Sequence, residues 1–308
     1  MKATSDYDPS QLVQVEDLSK SFGDFKAVDR LSFRVEKGDV YGFLGQNGAG
    51  KSTTMRMLLT LIRPDNGNIS VFGEKLAHHR ESILGRVGAM IEKPDLYKYL
   101  SALENLSLFA KLSGCRLSKA DLLRQLAVVG LEDRANDKVK HFSQGMKQRL
   151  GIAIALVHNP ELVMLDEPTN GLDPQGIADI RHLIGNLAAE HKKTVIVSSH
   201  LLGEIEQVAT RILIIDRGKK IVEGTTRDLL DPTQTIIEIE TGDLAKTAAL
   251  LANSRFNQGV QLKGLSVTLT LPPGEIPALN RFLVDEQVDV YRIAQRNSLE
   301  NYFLNLTR

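Results

Sequence analysis

The segment Gly45-Gln46-Asn47-Gly48-Ala49-Gly50-Lys51-Ser52-Thr53 spells Gly-x-x-x-x-Gly-Lys-Ser. It follows the apolar run Val40–Leu44 and precedes Met55, Leu58, Leu59 and Ile62, which recur at helical spacing. A glycine-rich loop between a strand and a helix is the setting a nucleotide triphosphate needs. The glycines let successive backbone N–H groups converge on phosphate oxygens, and the helix that starts near Lys51 adds the positive end of its dipole. Lys51 is placed to reach the outer phosphates and the Ser52 hydroxyl to ligate Mg²⁺. The plainer alternative, an ordinary turn, is disfavoured by the strand before the loop and the periodic helix after it.

At 308 residues, 42% of them hydrophobic, the chain has enough material for one large and one small domain. The 38 basic residues balance the 38 acidic ones, so no global field favours nucleic acid or an acidic membrane. The single cysteine, Cys115, has no partner for a disulfide, which suits a reducing cytoplasm. Residues 1–11 are polar and read as a disordered tail without the apolar core of a signal peptide. No apolar run approaches the ~20 residues that span a bilayer, so action at a membrane would go through a partner.

Short Val/Ile/Leu-rich runs alternate with amphipathic segments: 40–44 then 51–62, 162–165 then 174–191, 194–198 then 201–209, and 211–216. Strands this apolar are buried on both faces, so the alternation predicts an α/β fold with a mainly parallel sheet covered by helices. Segments 12–18, 31–35 and 68–72, bounded by Lys37-Gly38 and Pro64-Asp65-Asn66-Gly67, predict a smaller antiparallel β layer. A helical insert interrupts the rhythm, with a subdomain expected at about 92–158. The main domain is expected over 12–230. Beyond Asp231-Pro232 the pattern is strand 236–239, helix 243–252, strands 260–262 and 266–271, helix 275–284, strand 288–293 and helix 298–306. That order predicts a small α+β accessory domain, 231–308, of split βαβ, ferredoxin-like type.

A phosphate loop alone fixes only nucleotide binding. Further along, Leu162-Val163-Met164-Leu165-Asp166-Glu167 is an apolar strand ending in two carboxylates. Asp166 can hold Mg²⁺ through water, and Glu167, beyond the strand end, can act as the base for a water attacking the terminal phosphate. The segment His141-Phe142-Ser143-Gln144-Gly145-Met146-Lys147-Gln148-Arg149 opens a helix that runs into that strand. By itself it is only a capped helix.

Together these segments resemble the nucleotide-binding subunits of ABC transporters, whose signature reads Leu-Ser-Gly-Gly-Gln. The present copy differs at Phe142, Gln144 and Met146 and keeps Ser143 and Gly145. The resemblance implies that Ser143 and Gly145 bind the terminal phosphate of an ATP held by a second copy. It implies that Asp173, in Asn170-Gly171-Leu172-Asp173-Pro174, lies on the loop crossing that dimer interface. His200, in Ser198-Ser199-His200, would contact the terminal phosphate and orient the attacking water, while Phe22 would stack on adenine with Val28 packed nearby. Glu92 stands where the family usually has a glutamine that touches Mg²⁺ and links the site to the transmembrane permease. Glu92 and the Ser-x-Gly-Met-Lys-Gln-Arg-Leu signature resemble the branch that exports bacitracin and lantibiotic peptides. The implied protein is a Mg²⁺-dependent ATPase. It would form an ATP-closed homodimer, bind no nucleic acid, and lie peripherally on the cytoplasmic face of the plasma membrane, powering export through a separate permease. A non-transport ABC ATPase or a regulatory ATP-binding module is the alternative.

Overall fold

The first unit of the chain runs β1 (Gln11–Phe22), β2 (Phe25–Glu36), β3 (Val40–Leu44), α1 (Lys51–Leu58), β4 (Asn66–Val71), β5 (Glu74–Lys75), α2 (Arg80–Leu84) and β6 (Val87–Met90). It continues α3 (Ala102–Leu112), α4 (Lys119–Val128), α5 (Gln144–Leu156), β7 (Leu162–Asp166), α6 (Pro174–Ala189), β8 (Thr194–Ser199), α7 (Leu202–Ile205), β9 (Arg211–Asp216) and β10 (Lys219–Thr225). The structure is a computed structural model that describes residues 10–92, 94–229 and 236–296. Its contacts divide the chain into two compact units, Met1–Gly224 and Thr225–Arg308.

Every residue of β3, β7 and β8 is buried, as their unbroken apolar runs require. They form the middle of a six-stranded sheet of order β10-β9-β3-β8-β7-β6, paired in parallel from β9 to β6. The registers align Leu44 with Ser199 and Asp166 with Ser198. The loops that follow β3, β7 and β8 therefore leave the sheet side by side, at the carboxyl edge where open α/β sheets bind ligands.

The antiparallel layer is four-stranded, β2-β1-β4-β5. Its apolar face shares one core with the central sheet, where Phe33 lies 5.8 Å from Tyr41 and 5.6 Å from Phe43, ring centre to ring centre. Each such fully buried side chain contributes roughly 1.5–3 kcal/mol. In the helical insert, α3 and α4 each start at a reciprocal capping box, Ser101 with Glu104 and Ser118 with Asp121.

Two helices are shorter than their periodicity predicts. α1 stops at Leu58 because Thr60 turns left-handed at φ 58°, and the Leu61 N–H closes back on the Arg56 carbonyl at 2.8 Å. Ile62 still packs on the core from this turn, so the apolar period runs on past the helix end. α7 covers only Leu202–Ile205, since the chain must reach Thr210, whose hydroxyl donates to Asp39 and accepts from the Val40 N–H to set the start of β9.

The second unit comprises α8 (Thr226–Leu229), β11 (Ile236–Thr241), α9 (Leu244–Ala252), β12 (Gln261–Lys263), β13 (Ser266–Thr270), α10 (Ile276–Asp285) and β14 (Val290–Arg296). Its sheet order, β12-β13-β11-β14 with every neighbour antiparallel, is the ferredoxin-like arrangement. It has its own core, built on Ile237, Ile239, Leu251, Phe256, Leu279 and Leu283. The expected helix 298–306, the tail before Ser10 and the expected boundary at 230/231 lie outside the described residues. Among the described residues no helix is long and apolar enough to cross a membrane.

Candidate active site

The loop after β3 is held from both sides. The Gly45 N–H donates to the Ser199 carbonyl at 3.3 Å, tying the loop to the end of β8. The buried ammonium of Lys51 folds back under the loop and donates to the Gly45 carbonyl at 2.6 Å and the Gln46 carbonyl at 3.2 Å. Glycine is required at two of its positions. A side chain at Gly45 would meet the Ile215 carbonyl at 2.6 Å, and one at Gly50, where φ is 106°, would meet the Ala27 carbonyl at 2.5 Å. Gly50 caps α1 without a side chain, so the N–H groups at the start of α1 have no side-chain acceptor of their own. Gln46, Asn47 and Gly48 are exposed, Ala49 is buried, and Ser52 and Thr53 are half-buried at the helix start. This is an anion cradle: unclaimed backbone donors, a helix N-terminus and one cation.

Beside it, Asp166 is buried at the end of β7, and Glu167 adopts a left-handed backbone at φ 48°. That turn sends the Glu167 carboxylate back toward the loop. Its Oε2 lies 2.8 Å from His200 Nδ1, and its Oε1 lies 3.1 Å from Lys51 Nζ. The Lys51 contact is an ion pair without hydrogen-bond alignment, which leaves Oε1 buried with no aligned donor. Ser198 fixes the two acids relative to each other: its hydroxyl donates to Asp166 Oδ1 at 2.5 Å and accepts the Glu167 N–H at 2.9 Å. Two residues beyond Glu167, Thr169 donates to Glu204 of α7 at 2.5 Å, tying the strand end to the helix that follows His200. The sequence reading missed the roles of Ser198, Thr169 and Glu204. Ser198 belongs to the Ser198-Ser199-His200 segment that ends β8, whereas no local signal joins Thr169 to Glu204 across the fold.

Ser52, Glu92, Asp166 and Glu167 line one cavity of about 830 Å³. Serine and carboxylate oxygens are hard donors of the kind Mg²⁺ selects, and the cavity opens on the phosphate cradle's Ser52. Among the described residues no cluster of three His, Cys, Asp or Glu side chains is arranged to hold a metal alone. A divalent ion here would depend on the Ser52 hydroxyl and on phosphate oxygens as well. Glu92 itself sits at φ 65° and forms an ion pair with Arg56 on α1.

The remaining expected residues lie elsewhere. Ser143 caps α5, accepting the Met146 N–H at 3.2 Å, and Asp173 caps α6, accepting the Gly176 N–H at 3.0 Å. With Gly145 they line an adjoining cleft of about 320 Å³ that shares Gln144 and Gly171 with the cavity lined by Ser52 and Asp166 and holds none of the phosphate-loop residues. Phe22 stays half exposed at the tip of the β1–β2 hairpin, with the Lys20 ammonium 5.6 Å from its ring centre. Val28 is fully buried and lies beside Gly50, with its Cγ2 3.4 Å from where a side chain there would sit.

A family model described as ABC transporter matches residues 28–170. The bacitracin transport ATP-binding protein BcrA of Bacillus licheniformis is 42% identical over 96% of this chain and 97% of its own length. The chain belongs to the ABC transporter ATP-binding subunits. The lantibiotic transport ATP-binding protein SrtF of Streptococcus pyogenes is 41% identical over 69% of this ATP-binding subunit and 90% of its own length. A dimeric ATP-binding cassette in a post-hydrolysis state, bound to ADP and phosphate, matches 70% of this chain and 99% of its own, with a TM-score of 0.62 and 27% identity. This ATP-binding subunit is accordingly an ATPase.

Proposed function

We propose that this ATPase powers the export of an amphipathic antimicrobial compound through a separate transmembrane permease, with two copies closing on ATP. One observation carries the reading. Lys51, Glu167 and His200 converge beside the phosphate loop, whereas Ser143, Gly145 and Asp173 face a different cleft, so each chain supplies two unlike half-sites. A second copy would complete each half. The relatives named for bacitracin, lantibiotic and daunorubicin handling support the substrate class.

In this reading the backbone N–H groups of the loop and Lys51 neutralise the phosphates, and Phe22 stacks on the adenine. Ser52, Asp166 and Glu92 would hold Mg²⁺, which would supply positive charge to offset that of the phosphates. Glu167 accepts the proton of the attacking water at its carboxylate, and His200 keeps that carboxylate in line through the 2.8 Å contact. The Lys51 ammonium lies 3.1 Å from the same carboxylate, so phosphates that draw it away also free the base. The partner's Ser143 hydroxyl and helix N-terminus would bind the terminal phosphate from the opposite side. Residues 12–230 form the motor and 231–308 an accessory domain. The helical insert and the Glu92 segment would grip a permease on the cytoplasmic face of the plasma membrane.

The test combines size-exclusion chromatography of Glu167→Gln with ATP and purification of the wild-type chain from its native membrane. An ATP-dependent dimer and a co-purifying multi-spanning protein are expected. Turnover at the wild-type rate in Glu167→Gln would remove that residue from the base role, and capture of ribosomes or DNA in place of a membrane protein would replace transport.

A further inference from the structure

Three cations surround the carboxylate of Asp29 on β2. Its Oδ1 lies 2.7 Å from Lys26 Nζ and 3.6 Å from Arg30 Nε, and its Oδ2 lies 3.6 Å from Lys219 Nζ. The carboxylate is only 11% exposed, whereas the Lys26 and Lys219 side chains are more than half exposed. Lys26 foremost, with Lys219 and Arg30 after it, holds the Asp29 carboxyl below its ordinary value of 3.8, so it is ionised at neutral pH. Lys26 belongs to the same strand, but Lys219 opens β10, so one carboxylate clasps two strands of different sheets.

The backbone beside this clasp runs directly to the phosphate loop. The Asp29 N–H donates to the Gly218 carbonyl at 2.9 Å, and the Gly218 N–H donates to the Ala49 carbonyl at 2.9 Å. Gly218 lies in the turn between β9 and β10 at φ 76°, and a side chain there would meet the Ala27 carbonyl at 2.7 Å, the same carbonyl that Gly50 approaches from the loop. The β2 backbone at Ala27 is thus gripped between that turn and the loop. The Ala49 carbonyl and the Gly50 N–H share one planar trans peptide and point opposite ways. Holding the carbonyl on Gly218 therefore turns the Gly50 N–H away from the β9–β10 turn.

We propose that Asp29 is a positioning residue for the phosphate loop. By clasping Lys219 to β2 it keeps Gly218 on the Ala49 carbonyl, and so keeps the Gly50 N–H aimed at phosphate oxygens before ATP arrives. The inference rests on the reading of the Lys51 cradle as the ATP site. Charge alone acts in the opposite direction: Asp29 is an anion near a site for a polyanion, and removing it strengthens ATP binding if its field is all that matters. The sign of the effect separates the two.

The experiment measures ATP affinity by calorimetry in the full-length chain carrying Glu167→Gln, alone and with Asp29→Asn, Lys219→Met or both, and follows thermal unfolding without nucleotide. Asp29→Asn keeps the size of the side chain and loses its charge, and it is expected to weaken ATP binding about threefold or more through loss of preorganisation. Its Tm should stay within about 2 °C of the parent, since exposed ion pairs add little to global stability. In the chain with Glu167 intact the loss appears in KM, with kcat within about twofold of the wild type. Lys219→Met weakens binding in the parent and adds nothing once Asp29→Asn is present, because the clasp is already open. Unchanged or tighter binding by Asp29→Asn overturns the proposal. An equal loss from Lys219→Met in both backgrounds, the mark of independent charges, overturns it as well, and so does a Tm lowered by more than about 5 °C, which makes Asp29 structural. If Lys51→Met binds ATP as tightly as the parent, the cradle reading fails first, and the role of Asp29 with it.

Discussion

At the level of single residues the site is over-determined around two carboxylates. Glu167→Gln keeps the shape of the side chain but removes the proton acceptor, so steady-state turnover should fall about a hundredfold to ten-thousandfold while ATP binding persists. Ser198→Ala has a different signature. It strips the donor from Asp166 and the acceptor from the Glu167 N–H, so unfolding should become easier by about 1–3 kcal/mol along with a loss of activity. Gly50→Ala places a side chain at φ 106° against the Ala27 carbonyl, and nucleotide affinity measured by calorimetry should drop by at least about tenfold as the cradle opens. Glu92→Gln is expected to retain hydrolysis, since an amide oxygen still ligates and the Arg56 pair is half exposed. Loss of turnover in a folded Glu92→Gln chain would show that the carboxylate itself is needed.

Among the elements, the helical insert depends on its caps. In α3 the Ser101 backbone and hydroxyl hydrogen bonds hold the Glu104 carboxyl below its ordinary value of 4.5. A lowered folded-state pKa contributes stability that is present above the ordinary value and fades as pH falls through the folded one. Ser101→Ala should lose the hydroxyl cap on the Glu104 N–H at any pH, at a cost of about 1 kcal/mol, whereas Glu104→Gln should remove the pH-dependent part, so that its unfolding midpoint converges on that of the wild type as the pH is lowered through the acid range. The caps carry a local signal in their Ser-x-x-Glu and Ser-x-x-Asp spacing, although the sequence reading expected only a helical insert there. The end of α1 carries none, because a left-handed threonine closes it where glycine would ordinarily give the signal, and because Ile62 keeps the apolar period.

For the whole molecule, the second unit has a core of its own, and its four-stranded sheet closes on its own two helices. A chain ending at residue 230 should therefore remain folded and bind ATP, with a single cooperative unfolding transition by calorimetry. Loss of the folded state in that truncation would make the accessory segment part of the motor's stability. α5 and α6 present their capped N-termini to one cleft, while the carboxyl edge of the central sheet presents Ser52, Asp166 and Glu167 to the adjoining cavity, with Gln144 and Gly171 bordering both.

The amino-acid sequence by itself determined the chemistry that is local in the chain. The phosphate loop, the acids ending β7 and the serine caps each act through neighbours a few residues away, so spacing alone reveals them. It also determined the layering, since doubly buried strands need unbroken apolar runs. Only the tertiary structure decided what depends on strands meeting from distant parts of the chain. The register of β7 on β8 places Ser198 between Asp166 and Glu167, and that of β8 on β3 ties the loop at Gly45 to Ser199. Val28 is buried beside Gly50, and Lys51 is paired with Glu167. Such pairings arise from burial and from hydrogen bonds across long loops, and no local pattern encodes which distant group will stand opposite.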